Sequence, residues 1–127
     1  MPIACCDWRP KPKLHYATGK PRGTLRVGAL ESTSAARLPP VLSRYHQRYP
    51  DVQIELVTGT CTALVSGVHK QDVEAAFVAE PFNAQGLAMQ PVFIEELVLI
   101  TPKSFERIRS PKDIGQRTVI AFATGCS

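Results

Sequence analysis

Two short hydroxyl-bearing turns, Glu31-Ser32-Thr33-Ser34 and Thr58-Gly59-Thr60-Cys61-Thr62, hold the residue types in this sequence best suited to binding chemistry. Each follows a segment of strand character and stands where a helix would begin. The first N–H groups of a helix lack intrahelical partners, and the helix dipole adds partial positive charge at that end. Hydroxyls delivered there build a cradle for an anion or a polar small molecule. Such residues also cap helices by accepting from an N–H two or three positions on. Capping and ligand binding carry equal weight for Ser32, Thr33 and Thr60, and one hydroxyl can serve both.

Other chemistry is thinner. Cys61, close to a helix start, has the setting of a thiol sensor or nucleophile, but a small residue in a tight turn is the commoner reason for it. His15, His46 and His69 lack ligand spacing, so a zinc site is not expected. No P-loop, G-x-G-x-x-G or Ser-His-acid order occurs. Glu95 and Glu96, as neighbours on a strand, would point to opposite faces and could not act as an acid–base pair. The expectation is a non-enzymatic chain with no cofactor and no metal.

The elements that must position those turns read as alternating strands and helices, the pattern of a parallel α/β sheet. Residues 23–30 alternate apolar and polar with period two. Leu38, Leu42, Tyr45 and Tyr49 recur on one helical face, with Arg44, Gln47 and Arg48 opposite. Pro39-Pro40 fits best in the first turn of that helix, where a missing N–H costs little. Residues 52–57 form the next strand. A short helix carries Leu64, Val65 and Val68 inward, and Gly67 weakens it. Residues 73–79 read as a strand buried on both faces, and 89–93 as a weak strand interrupted by Pro91. Residues 97–101 read as a buried strand closed by Pro102. Ser110 to Ile114 looks like a one-turn helix start, and 118–122 like one more strand.

The totals bound the partners. An apolar share of 44% and a charged share of 20% suit a globular domain. The formal charge of +4 is unevenly spread. Six of the fifteen Lys and Arg (Arg9, Lys11, Lys13, Lys20, Arg22, Arg26) lie in residues 1–26 against Asp7 alone, while nine bases face ten acids thereafter. The basic excess belongs to a Pro-containing head, residues 1–22, expected to be disordered. The remainder has no general affinity for phosphate backbones. Cys5, Cys6, Cys61 and Cys126 show no disulfide framework, which favours reduced thiols and a cytoplasmic location. No apolar run approaches a membrane span.

From Gly23 to Ser127 the sequence resembles the effector-binding domain of LysR-type transcriptional regulators. The resemblance rests on Gly-Thr-Leu-Arg-Val-Gly at 23–28, Leu-Pro-Pro-Val-Leu at 38–42, Arg-Tyr-Pro-Asp-Val at 48–52 and Glu-Leu-Val-Thr-Gly-Thr at 55–60. Val-Glu-Ala-Ala-Phe-Val at 73–78, Glu-Glu-Leu-Val-Leu-Ile-Thr-Pro at 95–102 and Gly-Cys-Ser at 125–127 complete it. It implies a Rossmann-like lobe of the type II periplasmic-binding-protein fold over residues 23–101 and the start of a second lobe over 102–127. Effector would bind between lobes at the strand-exit turns. The implied contacts are Glu31, Ser32, Thr33, Gly59, Thr60, Cys61 and Glu80, with Thr101 at the crossover and Thr124, Gly125, Cys126 and Ser127 on the second wall.

The family also implies a small-molecule effector, a homo-oligomer, and DNA bound through a winged helix-turn-helix that residues 1–22 do not resemble. A truncated or frame-disrupted fragment is the expected reading, with the returning strand of the first lobe missing. A dominant-negative partner and a solute-binding protein of the same fold are the alternatives. Two departures fall before the third strand, where the family pattern has Gly at position 71 and Asp at position 74.

Overall fold

The computed structural model describes residues 1–7, 19–82, 85–115 and 117–121. In chain order the elements are β1 (Pro2–Asp7), β2 (Gly23–Ala29), α1 (Glu31–Ala36), α2 (Leu38–Arg48), β3 (Val52–Thr58), α3 (Cys61–His69), β4 (Ala75–Ala79) and β5 (Ala88–Ile94). A short 3₁₀ turn, Pro111–Ile114, follows. The five strands form one sheet in the order β3-β2-β4-β1-β5. β2 runs parallel to β3 and to β4, the alternating α/β arrangement expected from the periodicities.

The helical stretch after β2 is broken in two. Pro39 and Pro40 lack N–H groups, so they sit in the first turn of α2, and a separate turn and a half, α1, precedes them. Leu38 is buried at the start of the expected apolar face, and Leu42, Tyr45 and Tyr49 are half-buried along it. α3 turns Leu64, Val65 and Val68 into the core with Cys61. Gly28 lets α3 lie close to β2. A Cβ there would stand 2.7 Å from Leu64 Cδ2 and 3.2 Å from the Ala76 Cβ.

α3 ends in a Schellman motif, in which Asp72 N–H donates to the Gly67 carbonyl at 2.8 Å and Gln71 N–H to the Val68 carbonyl at 3.1 Å. The motif needs a left-handed residue, and Gln71 supplies it at φ 63°. The departure from glycine is therefore accommodated, at a backbone cost of about 1–2 kcal/mol. Glu74, the other departure, binds Arg26 from two sides. Its carboxylate accepts from Arg26 N–H at 2.6 Å and from Arg26 Nη2 at 2.8 Å. That pair pins the entry of β4 to the middle of β2. Burial pushes the Glu74 carboxyl up, but the hydrogen bonds and charge of Arg26 outweigh it and hold the group below its ordinary value.

Four expectations are corrected. Residues 2–7 of the head form β1, a strand inside the sheet and antiparallel to both β4 and β5. Ile3 and Ala4 are fully buried there, which gives the segment the apolar burial that an isolated tail lacks. β4 is shorter than expected, because Val73 and Glu74 are spent on the turn that leads into it. Residues 97–101 form no strand, and Leu97, Val98, Leu99 and Ile100 are 54–88% exposed. Among the described residues this run pairs with no strand, not even at the open edge of β5, so its apolar composition is not matched by a ladder for its backbone. Residues 118–121 are likewise without strand structure, and Phe122 lies outside the described residues.

Two outcomes follow. Gln71→Gly relieves the left-handed strain and raises unfolding free energy by about 0.5–1 kcal/mol in denaturant titration, after the extra chain entropy of glycine is subtracted. The Glu74 contribution is present above the unfolded carboxylate value near 4.5 and is lost as pH falls through the lower folded one. Glu74→Gln should therefore flatten that acid limb in a pH series of melting curves.

Candidate functional site

Parallel pairing decides where the two hydroxyl turns meet. The β2–β3 register runs from Gly23 opposite Val52 to Ala29 opposite Thr58, and the β2–β4 register places Ala29 opposite Phe77. The C-terminal ends of all three strands consequently open on one rim of the sheet. Leu30 and Glu31, then Gly59 and Thr60, then Glu80 leave that rim in turn. In open α/β sheets this edge is the usual ligand-binding crevice.

The start of α3 is fixed to both neighbouring strands. Gly59 N–H donates to the Ala29 carbonyl at 3.3 Å, tying the turn to the exit of β2. Ala79 N–H donates to Cys61 Sγ at 3.4 Å, tying it to the exit of β4. Thr60 is the N-cap, extended at φ −75° and ψ 157°, and its hydroxyl accepts from Ala63 N–H at 3.3 Å. Cys61 is fully buried and not in a disulfide, which fits a thiol packed as a small core residue.

The first turn is built differently. The N-cap of α1 is Leu30, which has no side-chain cap, so Ser32 and Thr33 lie inside the helix rather than capping it. Glu31 and Ser32 are exposed. Thr33 is 1% exposed, and its Oγ1, like Ser34 Oγ, has no hydrogen-bond partner among the described residues. A buried hydroxyl without a partner carries a desolvation cost of about 1–3 kcal/mol. Capping thus accounts for Thr60 and leaves Thr33 without that explanation.

Glu80 is half-buried at the β4 exit, and its N–H donates to the Pro2 carbonyl at 2.8 Å. Thr101 follows the exposed run 97–100. It lines a hollow of about 680 Å³ formed by residues 97–121, with Leu97, Leu99, Phe105 and Val119 among its walls. Thr124, Gly125, Cys126 and Ser127 lie outside the described residues.

Sequence reasoning missed the ion pair that closes the lobe beside the helix break. Arg37, between α1 and α2, donates to Glu95 through Nε at 2.8 Å and Nη2 at 3.0 Å, with its guanidinium 5.8 Å from the Phe93 ring centre. Hydrogen bonding to Arg37 and the guanidinium charge hold the Glu95 carboxyl low. Fifty-eight residues separate the partners, and no local pattern announces such a pair. Glu95 is thereby a structural carboxylate. Among the described residues no cluster of His, Cys, Asp and Glu could hold a metal ion, and no helix is long and apolar enough to cross a membrane.

Residues 18–127 match the LysR substrate binding domain. The chain is 36% identical over 107 residues to the HTH-type transcriptional regulator GltR of Bacillus subtilis (strain 168), covering 84% of this chain and 36% of the relative. It is 39% identical over 115 residues to the HTH-type transcriptional regulator YofA of Bacillus velezensis, covering 91% and 39% respectively. It therefore spans little more than a third of the length of these curated relatives. A crystal structure of a phosphate-binding protein of a phosphate ABC transporter from Streptococcus pneumoniae TIGR4 superposes with TM-score 0.51 at 18% identity, over 55% of this chain and 28% of that one. That likeness speaks for the fold alone.

Removing the Thr60 cap tests how the rim is held. Thr60→Ala should destabilise the domain by about 1 kcal/mol in chemical denaturation and raise amide exchange at Ala63 and its neighbours.

Proposed function

The chain belongs to the LysR substrate-binding domain family, and on that premise we propose that it is the effector-sensing part of a transcriptional regulator. Its relatives are HTH-type transcriptional regulators. In this reading a small polar or anionic metabolite sits on the rim where β2, β3 and β4 end. Glu31, Ser32, Thr33, Gly59, Thr60 and Glu80 form one wall, with Cys61 buried behind it. Thr101 and residues 124–127 belong to the opposite wall. The assembly acts in the cytoplasm, as an oligomer, and reaches DNA through a helix-turn-helix domain of the complete regulator.

The observation that supports this most is the convergence of three strand exits on one rim, beside an unpartnered buried Thr33 hydroxyl. Effector would shift the balance between quaternary arrangements, because a ligand moves an equilibrium only by its differential affinity for the two states. Nothing in that role requires a nucleophile or a base.

One wall alone binds weakly. A helix N-terminus contributes roughly 0.3–1 kcal/mol to an anion, up to about 2 when partly buried. Two such ends reach about 2–4 kcal/mol, and α1, at six residues, sits at the low end. Millimolar affinity already requires about 4.1 kcal/mol.

Isothermal titration of this chain with inorganic phosphate and a panel of small carboxylic acids should give dissociation constants above about 1 mM. Amide shifts in the same titrations should concentrate at residues 31–33, 59–61 and 80. Micromolar binding contradicts the one-wall picture, and shifts confined to residues 97–121 contradict the rim as the site.

A further inference from the structure

The family match begins at residue 18, so β1 lies outside it, while β4 and β5, the two strands that β1 joins, lie inside. β1 nevertheless stands in the interior of the sheet, antiparallel to both. Ile3 is level with Ala79 and Phe93, and Ala4 with Val78 and Pro91. Both are fully buried, and Ile3 belongs to the same apolar cluster as Leu64, Val68 and Val78. Backbone bonds continue past the strand itself. Glu80 N–H donates to the Pro2 carbonyl at 2.8 Å, Glu95 N–H donates to the Met1 carbonyl at 2.8 Å, and the Met1 ammonium donates to the Glu95 carbonyl.

Without β1, the described strands of the family stretch would be a parallel trio, β3-β2-β4, with β5 one strand width away. β4 and β5 make no ladder with each other. The N–H and C=O groups that face β1 would lose their partners, and an unpaired backbone group is costly wherever water is kept from it. The apolar cluster beneath would lose Ile3 at the same time. The family stretch therefore does not close its own sheet. The two regulators compared above are covered only to 36% and 39% of their lengths, so each has ample sequence elsewhere from which to supply a strand.

We propose that β1 is a replacement closing strand. Residues 2–7, from outside the family stretch, complete a sheet that the family stretch leaves open, and so allow the lobe from β1 to Glu95 to fold without the rest of a regulator's length. The position is selective. Its occupant must run antiparallel to both neighbours, bury an apolar side chain at the Ile3 position and be small at the Ala4 position, where a larger group would displace packed neighbours. This role concerns how the sheet is completed, and it holds whatever the rim binds.

The test starts from the full chain under reducing conditions, with a protease site in a Gly-Ser spacer inserted between Lys13 and Leu14. After cleavage, residues 1–13 should stay with the remainder through size exclusion and leave only in denaturant. Once the head is washed out in denaturant and the remainder refolded, β5 amides should exchange at least about a hundredfold faster than in the cut complex. A peptide of residues 1–8 should restore their protection, and one of the same composition in scrambled order should not. In the uncut chain, Ala4→Arg forces a charge into a fully buried position and should speed β5 exchange in the same way. Aggregation of the remainder alone, while the cut complex stays soluble, supports the proposal equally. A remainder that refolds with β5 as protected as in the full chain overturns it. So does a head that drifts away after cleavage with β4 and β5 unchanged, an Ala4→Arg chain with normal β5 exchange, or a scrambled peptide that protects as well.

Discussion

Parallel pairing of β2 with β3 on one side and β4 on the other is the constraint on which the rest of the lobe depends. Parallel strands cannot be joined by a hairpin, so each connection crosses over through a helix. Each crossover then begins at the same edge. That rule places the turn before α1 beside the turn before α3 and the exit of β4, although they are far apart in the chain. Gly28 supports it in the interior, because a Cβ there would stand 2.7 Å from Leu64 Cδ2 and force that side chain to shift. Arg26 and Glu74 enforce it at the entry of β4. The rim that could meet a ligand is a product of pairing geometry first and of hydroxyl chemistry second.

The two hydroxyl turns look alike in sequence and differ in physical role. Thr60 has a conventional task, satisfying an N–H of α3, and the Cys61 sulfur accepts from Ala79. α3 is thereby anchored at its first turn to the sheet. Thr33 is buried with no such task. The difference arises because Pro39 and Pro40 require a helix start at Leu38, which leaves α1 as a short separate turn with an aliphatic N-cap.

Much of the lobe was legible from local pattern. The period-two run at 23–30 and the apolar face from Leu38 to Tyr49 are signals carried within a few residues, and both elements formed. The prolines announced the start of α2 for the same reason. What failed was non-local. β1 contains six residues, two of them cysteines and one a proline, and nothing about them reveals that a slot awaits between β4 and β5. Residues 97–101 show the converse, since apolar composition alone supplies no partner for the backbone. Among site residues, the common rim of Glu31, Gly59, Thr60 and Glu80 followed from strand order.

The Arg37–Glu95 fork has a mechanical consequence. The polypeptide leaves β5 at Glu95, one residue past the sheet, and the guanidinium grips it at that point with two near-parallel bonds. A pull on the chain beyond Glu96 is thus shared with the joint between α1 and α2 instead of peeling β5 from its hydrogen bonds one by one. Like the collar that protects a cable where it enters a plug, the fork diverts load from the edge strand to the helical layer.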